Sequence, residues 1–103
     1  MLKDAAPPLP GLIIRREIMD RFDLSQADMA RLTGISTVRI SQIIHGRNPI
    51  SAEVALRLGH VTKTDPAYWI GLQSTFNLYQ KSRELKKILE RLVTVDTYTD
   101  DGD

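Results

Sequence analysis

Residues 24–47 read LSQADMARLTGISTVRISQIIHGR, and they predict two short helices joined by a tight turn. Ser25 fits the cap of a first helix over 26–33, because its hydroxyl can accept a hydrogen bond from a free backbone N–H group. Gly34 can adopt the left-handed conformation that ends a helix. After a second capping serine, the next helix is expected over 37–45. This spacing favours a helix-turn-helix; an antiparallel helical pair of an ordinary bundle is the alternative that it leaves open.

The second of these helices is predicted to be amphipathic. Ile40 and Ile43 lie three residues apart and should face the core together with Ile35 from the turn. The opposite face carries short or polar side chains, and an α-helix is about 10–12 Å wide, which suits the major groove of DNA. The residues expected to read bases are Thr37, Val38, Arg39, Ser41 and Gln42.

The chemistry of these side chains assigns their roles. The Gln42 amide can form paired hydrogen bonds with adenine, whereas Arg39 can either pair with guanine or hold a phosphate. Val38 and the methyl group of Thr37 can touch a thymine methyl. Four further residues lie at predicted helix N-termini or just after the second helix, where phosphates are commonly held. These expected phosphate contacts are Gln26, Ser36, Arg47 and Asn48.

The charge of the chain is unevenly distributed. The net charge is +1, but residues 96–103 contain four acids and no base. Without them, fourteen bases face nine acids, a balance of +5. A basic body suits a polyanionic partner. On charge alone, a solvated surface explains the arginines of residues 25–50 better, so the DNA prediction depends on the helix pattern.

The chain on either side of this segment predicts three more helices. Ile14, Ile18 and Phe22 are four residues apart and should share the buried face of a first helix over 11–22. Ser51 begins a fourth helix that ends near Thr62. The fold class expected is therefore all-α, with five helices.

The fifth helix should begin at Asp65-Pro66, a capping acid followed by proline at the first helical position. It either ends near Gln80 or continues to Leu92. Residues 93–98 are β-prone and could form a short strand, but the acidic residues after them favour a tail. The division expected is a loose arm over 1–10, the helix-turn-helix domain over 11–80, and a helical extension with an acidic tail over 81–103.

The composition excludes several classes of function. The chain has 103 residues, which fits one domain, and it contains no cysteine for a disulfide or a thiolate metal site. No signal peptide or membrane-spanning run is present, so we expect a cytoplasmic protein. His45 and His60 are the only histidines and lack the spacing of metal ligands. We therefore expect no catalytic residue, metal or cofactor, and no enzyme.

Two apolar stripes extend beyond the expected core. Trp69, Leu72, Phe76 and Tyr79 are spaced 3, 4 and 3 residues apart on the fifth helix. The first two should enter the core, and Phe76 and Tyr79 should lie partly in a dimer interface. A second stripe, expected to meet either a second subunit or another partner, consists of Leu85, Ile88, Leu89 and Leu92.

A family resemblance adds to this reading. The segment Leu24–Arg47 resembles the helix-turn-helix of the phage-repressor-like (XRE/Cro-type) family. Over residues 10–80 the chain is similar to the HigA-type (VapI-like) antitoxins of bacterial toxin–antitoxin modules. The more specific part of the match is the motif DPAYWIGLQ, which begins at Asp65. The chain departs from the family at Thr33, Gly59 and Lys63, where leucine, alanine and glycine are usual, and we expect looser packing there.

The resemblance implies a homodimer that binds a palindromic operator and represses its own operon. It also implies a partner that the antitoxin neutralises, a HigB- or RelE-like toxin that cleaves mRNA on the ribosome. Two other hypotheses stay open. The chain could be a stand-alone phage- or plasmid-type regulator without a toxin, or an interaction module whose helix-turn-helix no longer binds DNA.

Overall fold

A computed structural model describes residues 5–98, and its regular elements are helices. No strand occurs in this part of the chain, which confirms the all-α class. The helices are α1 (Pro10–Ile14), continued without a break by π-helical Arg15–Asp20, α2 (Gln26–Thr33), α3 (Thr37–Ile44), α4 (Ala52–Thr62), α5 (Pro66–Glu84) and α6 (Lys86–Arg91), followed by a 3-10 turn over Val95–Thr97. Residues 1–4 of the predicted arm and residues 99–103 of the predicted acidic tail lie outside the described part of the chain.

The core is aliphatic and is closed by one tryptophan. Trp69 is 1% exposed, and its indole Nε1 donates a hydrogen bond to Thr64 Oγ1 over 2.8 Å, so its one polar atom is satisfied. Leu72 is half-buried and packs against this core. The buried apolar residues are Ile13, Ile14, Ile18, Met19, Met29, Ile35, Ile40, Ile43, Ile44, Ile50, Val54, Ala55, Leu58 and Trp69.

The predicted caps of the helix-turn-helix are present. The Ser25 hydroxyl accepts a hydrogen bond from the N–H of Asp28, and the Asp28 carboxylate accepts one from the N–H of Ser25. Such a reciprocal cap satisfies two of the free N–H groups at the start of α2. Gly34 ends α2 with φ of 73°, and Ser36 caps α3 through the N–H of Arg39. Local signals therefore fix where both helices begin and end.

A contact from α4 supports the turn between α2 and α3. The Arg57 guanidinium donates a hydrogen bond to the Thr33 carbonyl oxygen over 2.7 Å, and its Nε lies 3.0 Å from Glu53. Thr33 is buried, but its hydroxyl donates to the Met29 carbonyl and accepts from the Ile35 N–H. Threonine in place of the usual leucine is therefore buried with its hydroxyl hydrogen-bonded on both sides. The looser packing expected at this position is not observed, because Thr33 makes defined contacts with its neighbours.

The other two family departures also have local explanations. A Cβ atom on Gly59 would lie 2.7 Å from the Thr64 carbonyl oxygen, so the usual alanine has no room in this chain. Lys63 takes the left-handed conformation with φ of 57°, the conformation that a glycine adopts most readily. These two residues set how α4 turns into α5.

The first helix approaches the end of α3 at Gly11. A Cβ atom there would lie 2.2 Å from the Ile44 carbonyl oxygen and 2.5 Å from that of Ile43. Glycine therefore allows the backbones of α1 and α3 to touch, and this contact helps to fix α3 in place. The helix begins at Pro10, one residue before the predicted start, and Pro10 is buried.

The prediction for Phe22 was wrong. Ile14 and Ile18 are buried as expected, but Phe22 is 54% exposed. The Phe22 N–H still donates to the Ile18 carbonyl oxygen, and both residues line a surface pocket together with Met29. That pocket is open to solvent, so the Phe22 ring stays exposed. Its ring lies under the Arg21 guanidinium at 5.2 Å.

The fifth helix extends past Gln80, the earlier of its two predicted ends, but it breaks before Leu92, the later one. It ends at Glu84, Leu85 has a φ of −95° and ψ of 6°, and α6 continues the path to Arg91. The radius of gyration is 18.4 Å, whereas a compact 100-residue domain has about 13 Å. The C-terminal helices therefore project from the core. Within residues 5–98, no helix combines the length and apolar character needed to cross a membrane.

Candidate nucleic-acid interface

The first turn of α3 presents its outer side chains to solvent. Thr37 and Val38 are exposed, Val38 by 66%, while Ile40 and Ile43 from the same helix are buried. The helix is therefore held by its apolar face, as predicted, and the two residues expected to touch thymine methyl groups are free of contacts that would bury them.

His45, the residue directly after α3, lies on the same side as Val38 and Ser41. His45 is exposed and lies seven residues after Val38 and four after Ser41, spacings that share one side of a helix. Its Nδ1 atom is 2.8 Å from the Ser41 carbonyl oxygen and 3.3 Å from the Ser41 hydroxyl. The sequence favours His45 as a cap or a phosphate neighbour at the end of this helix, and in the structure it is the C-cap residue of α3.

Gln42 and Asn48, predicted to contact a base and a phosphate respectively, are bonded to each other. The Asn48 Nδ2 atom donates to Gln42 Oε1 over 2.6 Å, and both side chains are half-buried. The N–H groups of Arg47 and Asn48 also donate to the Gln42 carbonyl oxygen, over 2.7 and 3.2 Å. The loop after α3 therefore folds back on Gln42.

The two arginines near this helix lie in different surroundings. Arg39 is half-buried, and its Nη2 atom is 3.4 Å from the hydroxyl of Ser51, the cap of α4. Arg47 is exposed in the loop after α3. This position of Arg39 favours the phosphate role over guanine pairing, because its guanidinium is turned toward the N-terminus of another helix.

The start of α2 places a half-buried Gln26 at the first helical position. Nearby, the pKa of Asp28 is lowered, first by the hydrogen bond from the Ser25 N–H and also by the Ser25 hydroxyl and Arg31. Arg31 forms an ion pair with Asp28, so its charge is already compensated. Ser36 is exposed at the start of α3, but its oxygen accepts the capping bond from Arg39.

A groove separates the end of α3 from α5. It has a volume of about 310 Å³ and is lined by Arg47, Asn48 and Phe76, among others. Gln73, from the DPAYWIGLQ motif, accepts a hydrogen bond from the Ile50 N–H over 2.8 Å and so fastens the loop after α3 to α5. Residue spacing alone does not predict this contact of Gln73 with a loop 23 residues away.

The residues predicted to form an interface lie beyond the core. Phe76, Tyr79 and Leu85 are half-buried, and Arg83 covers the Tyr79 ring at 5.7 Å. Between residues 76 and 92, the exposed large apolar residues are Leu78, Ile88, Leu89 and Leu92. Leu78, which sequence reasoning left out, extends the predicted stripe by one heptad toward the core.

No group of three His, Cys, Asp or Glu side chains within residues 5–98 could hold a metal ion. His60 is exposed on α4. The arrangement in this part of the chain is that of a binding surface built on a helix-turn-helix.

Residues 16–69, more than half of the chain, match the family described as Helix-turn-helix. The chain belongs to this family. The virulence-associated protein A′ of Dichelobacter nodosus is 33% identical to this helix-turn-helix protein over 75 residues, which are 72% of the chain and 64% of that relative. The chain therefore spans less than two thirds of the length of that relative.

Two solved structures show the same fold along nearly all of their length. The Pseudomonas aeruginosa antitoxin HigA with higBA promoter is 32% identical, with a TM-score of 0.80 over 86% of the chain and 97% of the HigA chain. The antitoxin GraA in complex with its operator is 31% identical, with a TM-score of 0.81 over 92% and 98%. The helix-turn-helix protein is thus of the HigA type.

Proposed function

We propose that the chain is the antitoxin of a two-gene toxin–antitoxin module and represses its own operon by binding operator DNA. The observation that carries the proposal is the outer face of α3. It is exposed at Thr37 and Val38 and is held in place by buried isoleucines on the opposite side. The promoter-bound HigA and operator-bound GraA structures support DNA as the partner.

The proposed contact places α3 in the major groove. A groove about 12 Å wide admits a helix of this diameter, and base edges then lie within reach of the first turn and of Gln42. Thr37 and Val38 contact thymine methyl groups, and Ser41 and Gln42 form hydrogen bonds. Arg39 and Arg47 lie to the sides of α3, with Gln26 and Ser36 at helix N-termini, where they hold phosphates.

The protein binds DNA as a homodimer in this proposal. Two helix-turn-helix units about 34 Å apart read a palindrome in successive major grooves. Phe76 and Tyr79 supply the dimer surface, since both are only half-buried. Phe76 also borders the groove beside α3. A partner protein, either the second subunit or a RelE-like toxin, covers the stripe from Leu85 to Leu92.

Substitutions on α3 and after it test the DNA-binding mode. Gln42→Ala should weaken binding by about 1–3 kcal/mol at one base position, because the loss involves a base edge. Arg47→Ala should instead weaken binding to every sequence and lower the salt slope by about one, because it removes one phosphate contact. Titrations of upstream and shuffled DNA at several salt concentrations measure both effects. Equal losses for Gln42→Ala on both DNAs, or an unchanged slope for Arg47→Ala, would contradict the assigned roles.

Co-expression with the neighbouring gene tests the antitoxin role. We expect a small basic protein encoded by the neighbouring gene to co-purify with the chain. The mass of the complex should equal the combined masses of whole numbers of copies of the two proteins. The control is the chain expressed alone. Recovery of the homodimer only, with full operator binding, would leave a stand-alone regulator in place of an antitoxin.

A further inference from the structure

We infer that Asn48 is a positioning residue that determines which end of the Gln42 side-chain amide faces a base. The inference rests on the proposed DNA binding by α3 and refines it. Asn48 then acts on specificity through Gln42, in place of the phosphate contact expected from the sequence. The juxtaposition that carries it is the 2.6 Å hydrogen bond from Asn48 Nδ2 to Gln42 Oε1.

The loop holds Asn48 firmly enough for this role. Gly46 reverses the chain after α3 with φ of 75°, and the N–H of Asn48 donates to the Gln42 carbonyl. Two residues later, the N–H of buried Ile50 is bonded to the Gln73 side chain. Asn48 is therefore fixed to α3 on one side, and its loop is fixed to α5 on the other.

The direction of the hydrogen bond decides what Gln42 offers to DNA. A side-chain amide has a donor end and an acceptor end. Because Asn48 draws Gln42 Oε1 toward the loop, the Nε2 donor is the end left for a base. Adenine in the major groove presents an acceptor and a donor side by side, whereas guanine presents two acceptors and thymine O4 one. A donor-only Gln42 can bond adenine at N7 alone, whereas guanine offers it two acceptors and cytosine none, so it should prefer guanine over adenine and cytosine at its position.

Substitution of Asn48 can reverse or remove this preference. In Asn48→Asp, the new carboxylate only accepts, so Gln42 should turn Nε2 toward it and present Oε1 to the groove. An acceptor end selects the amino groups of adenine or cytosine. In Asn48→Ala, Gln42 is free to rotate, and the preference should weaken. The added negative charge of Asp should weaken binding to all sequences alike, so preferences are compared within each variant.

The experiment is a binding competition among operators that differ only at the base pair facing Gln42. That base pair is located first, as the one position where Gln42→Ala loses discrimination. We expect the unsubstituted chain to favour guanine over adenine or cytosine roughly 5- to 100-fold. Asn48→Asp should favour adenine or cytosine, and Asn48→Ala should show little preference. Arg47→Ala, the neighbouring loop substitution, is the matched control and should keep the original preference, and thermal melting checks that each variant is folded.

The outcomes separate the inference from the proposed function. If the unsubstituted chain binds operator and shuffled DNA equally, the proposed function fails. If the chain discriminates sequences but both Asn48 variants, folded, retain its base preference, the inference alone is overturned. A preference of the unsubstituted chain for adenine at that position would likewise overturn it.

Discussion

Residues 10–69 and residues 70–98 differ in what happens to their apolar side chains. The first region contains all of the buried apolar residues of the described chain, and Trp69 is the last of them. The second region contains none, although Leu78, Ile88, Leu89 and Leu92 are large apolar residues. Both regions are helical, so the difference lies in packing.

Helix formation in this protein does not require burial of apolar side chains, because α6 forms without a buried residue. In the first region, the buried apolar side chains pack against one another within a single chain. In the second region the helices form, but only apolar residues next to the core, such as Leu72, pack against it, and most of those farther along the chain stay exposed. Exposed apolar surface of this kind favours association with another protein. We therefore propose that the first region recognises DNA and that the second contacts proteins.

The largest expected effect on stability is the difference between removing a core side chain and removing one from the C-terminal extension. Trp69→Ala should lower the free energy of unfolding by about 3–5 kcal/mol, because it empties a fully buried site. Leu92→Ala, at a side chain 63% exposed, should change it by less than about 0.5 kcal/mol. Urea unfolding at low protein concentration measures both. Comparable losses for the two variants would remove the distinction between the regions.

The same substitution at two glycines should have opposite signs. Gly11→Ala should destabilise the protein by about 1–3 kcal/mol, since its methyl group would collide with the α3 backbone. Gly71→Ala, on the exposed side of α5, meets no atom within 4 Å and should stabilise the helix by up to about 1 kcal/mol. Thermal melting of the two variants gives the comparison. If Gly71→Ala also destabilised the chain, the second region would be packed more tightly than described.

A smaller effect tests the cap of α2. Ser25→Ala should lower the free energy of unfolding by about 1 kcal/mol at neutral pH. The lowered pKa of Asp28 means that its ionised form stabilises the fold above the ordinary value of 3.8. That contribution is lost as pH falls through the still lower folded-state pKa. Asp28→Asn should therefore destabilise at neutral pH, and its difference from the unsubstituted chain should shrink below pH 3.8; a difference independent of pH would contradict this origin.

The elements fixed by neighbouring residues were predictable from the sequence. The bounds of α2 and the left-handed Gly34 follow from serine caps and a glycine, which act within three or four residues. The inward Ile40 and the buried Trp69 follow from helical periodicity. Phe22 follows the predicted periodicity but is exposed, because the pocket that it shares with Ile18 is open to solvent.

Contacts between distant residues were not predictable in the same way. The Arg57 bond to Thr33 and the Gln73 bond to Ile50 span 24 and 23 residues. The Asn48 bond to Gln42 spans only six, but it depends on a loop reversal at Gly46 that sequence spacing does not fix. These three contacts decide how α3 is held and what it presents, so the exposed face was predictable and its fine chemistry was not.

The most direct test of DNA reading by α3 is a titration of the unsubstituted chain with two DNAs. One is the duplex directly upstream of its own gene, and the other has the same composition in shuffled order. At physiological salt, we expect the chain to bind the upstream duplex at least about 10³-fold more tightly than the shuffled duplex. Equal affinity for the two duplexes would contradict sequence recognition by this helix.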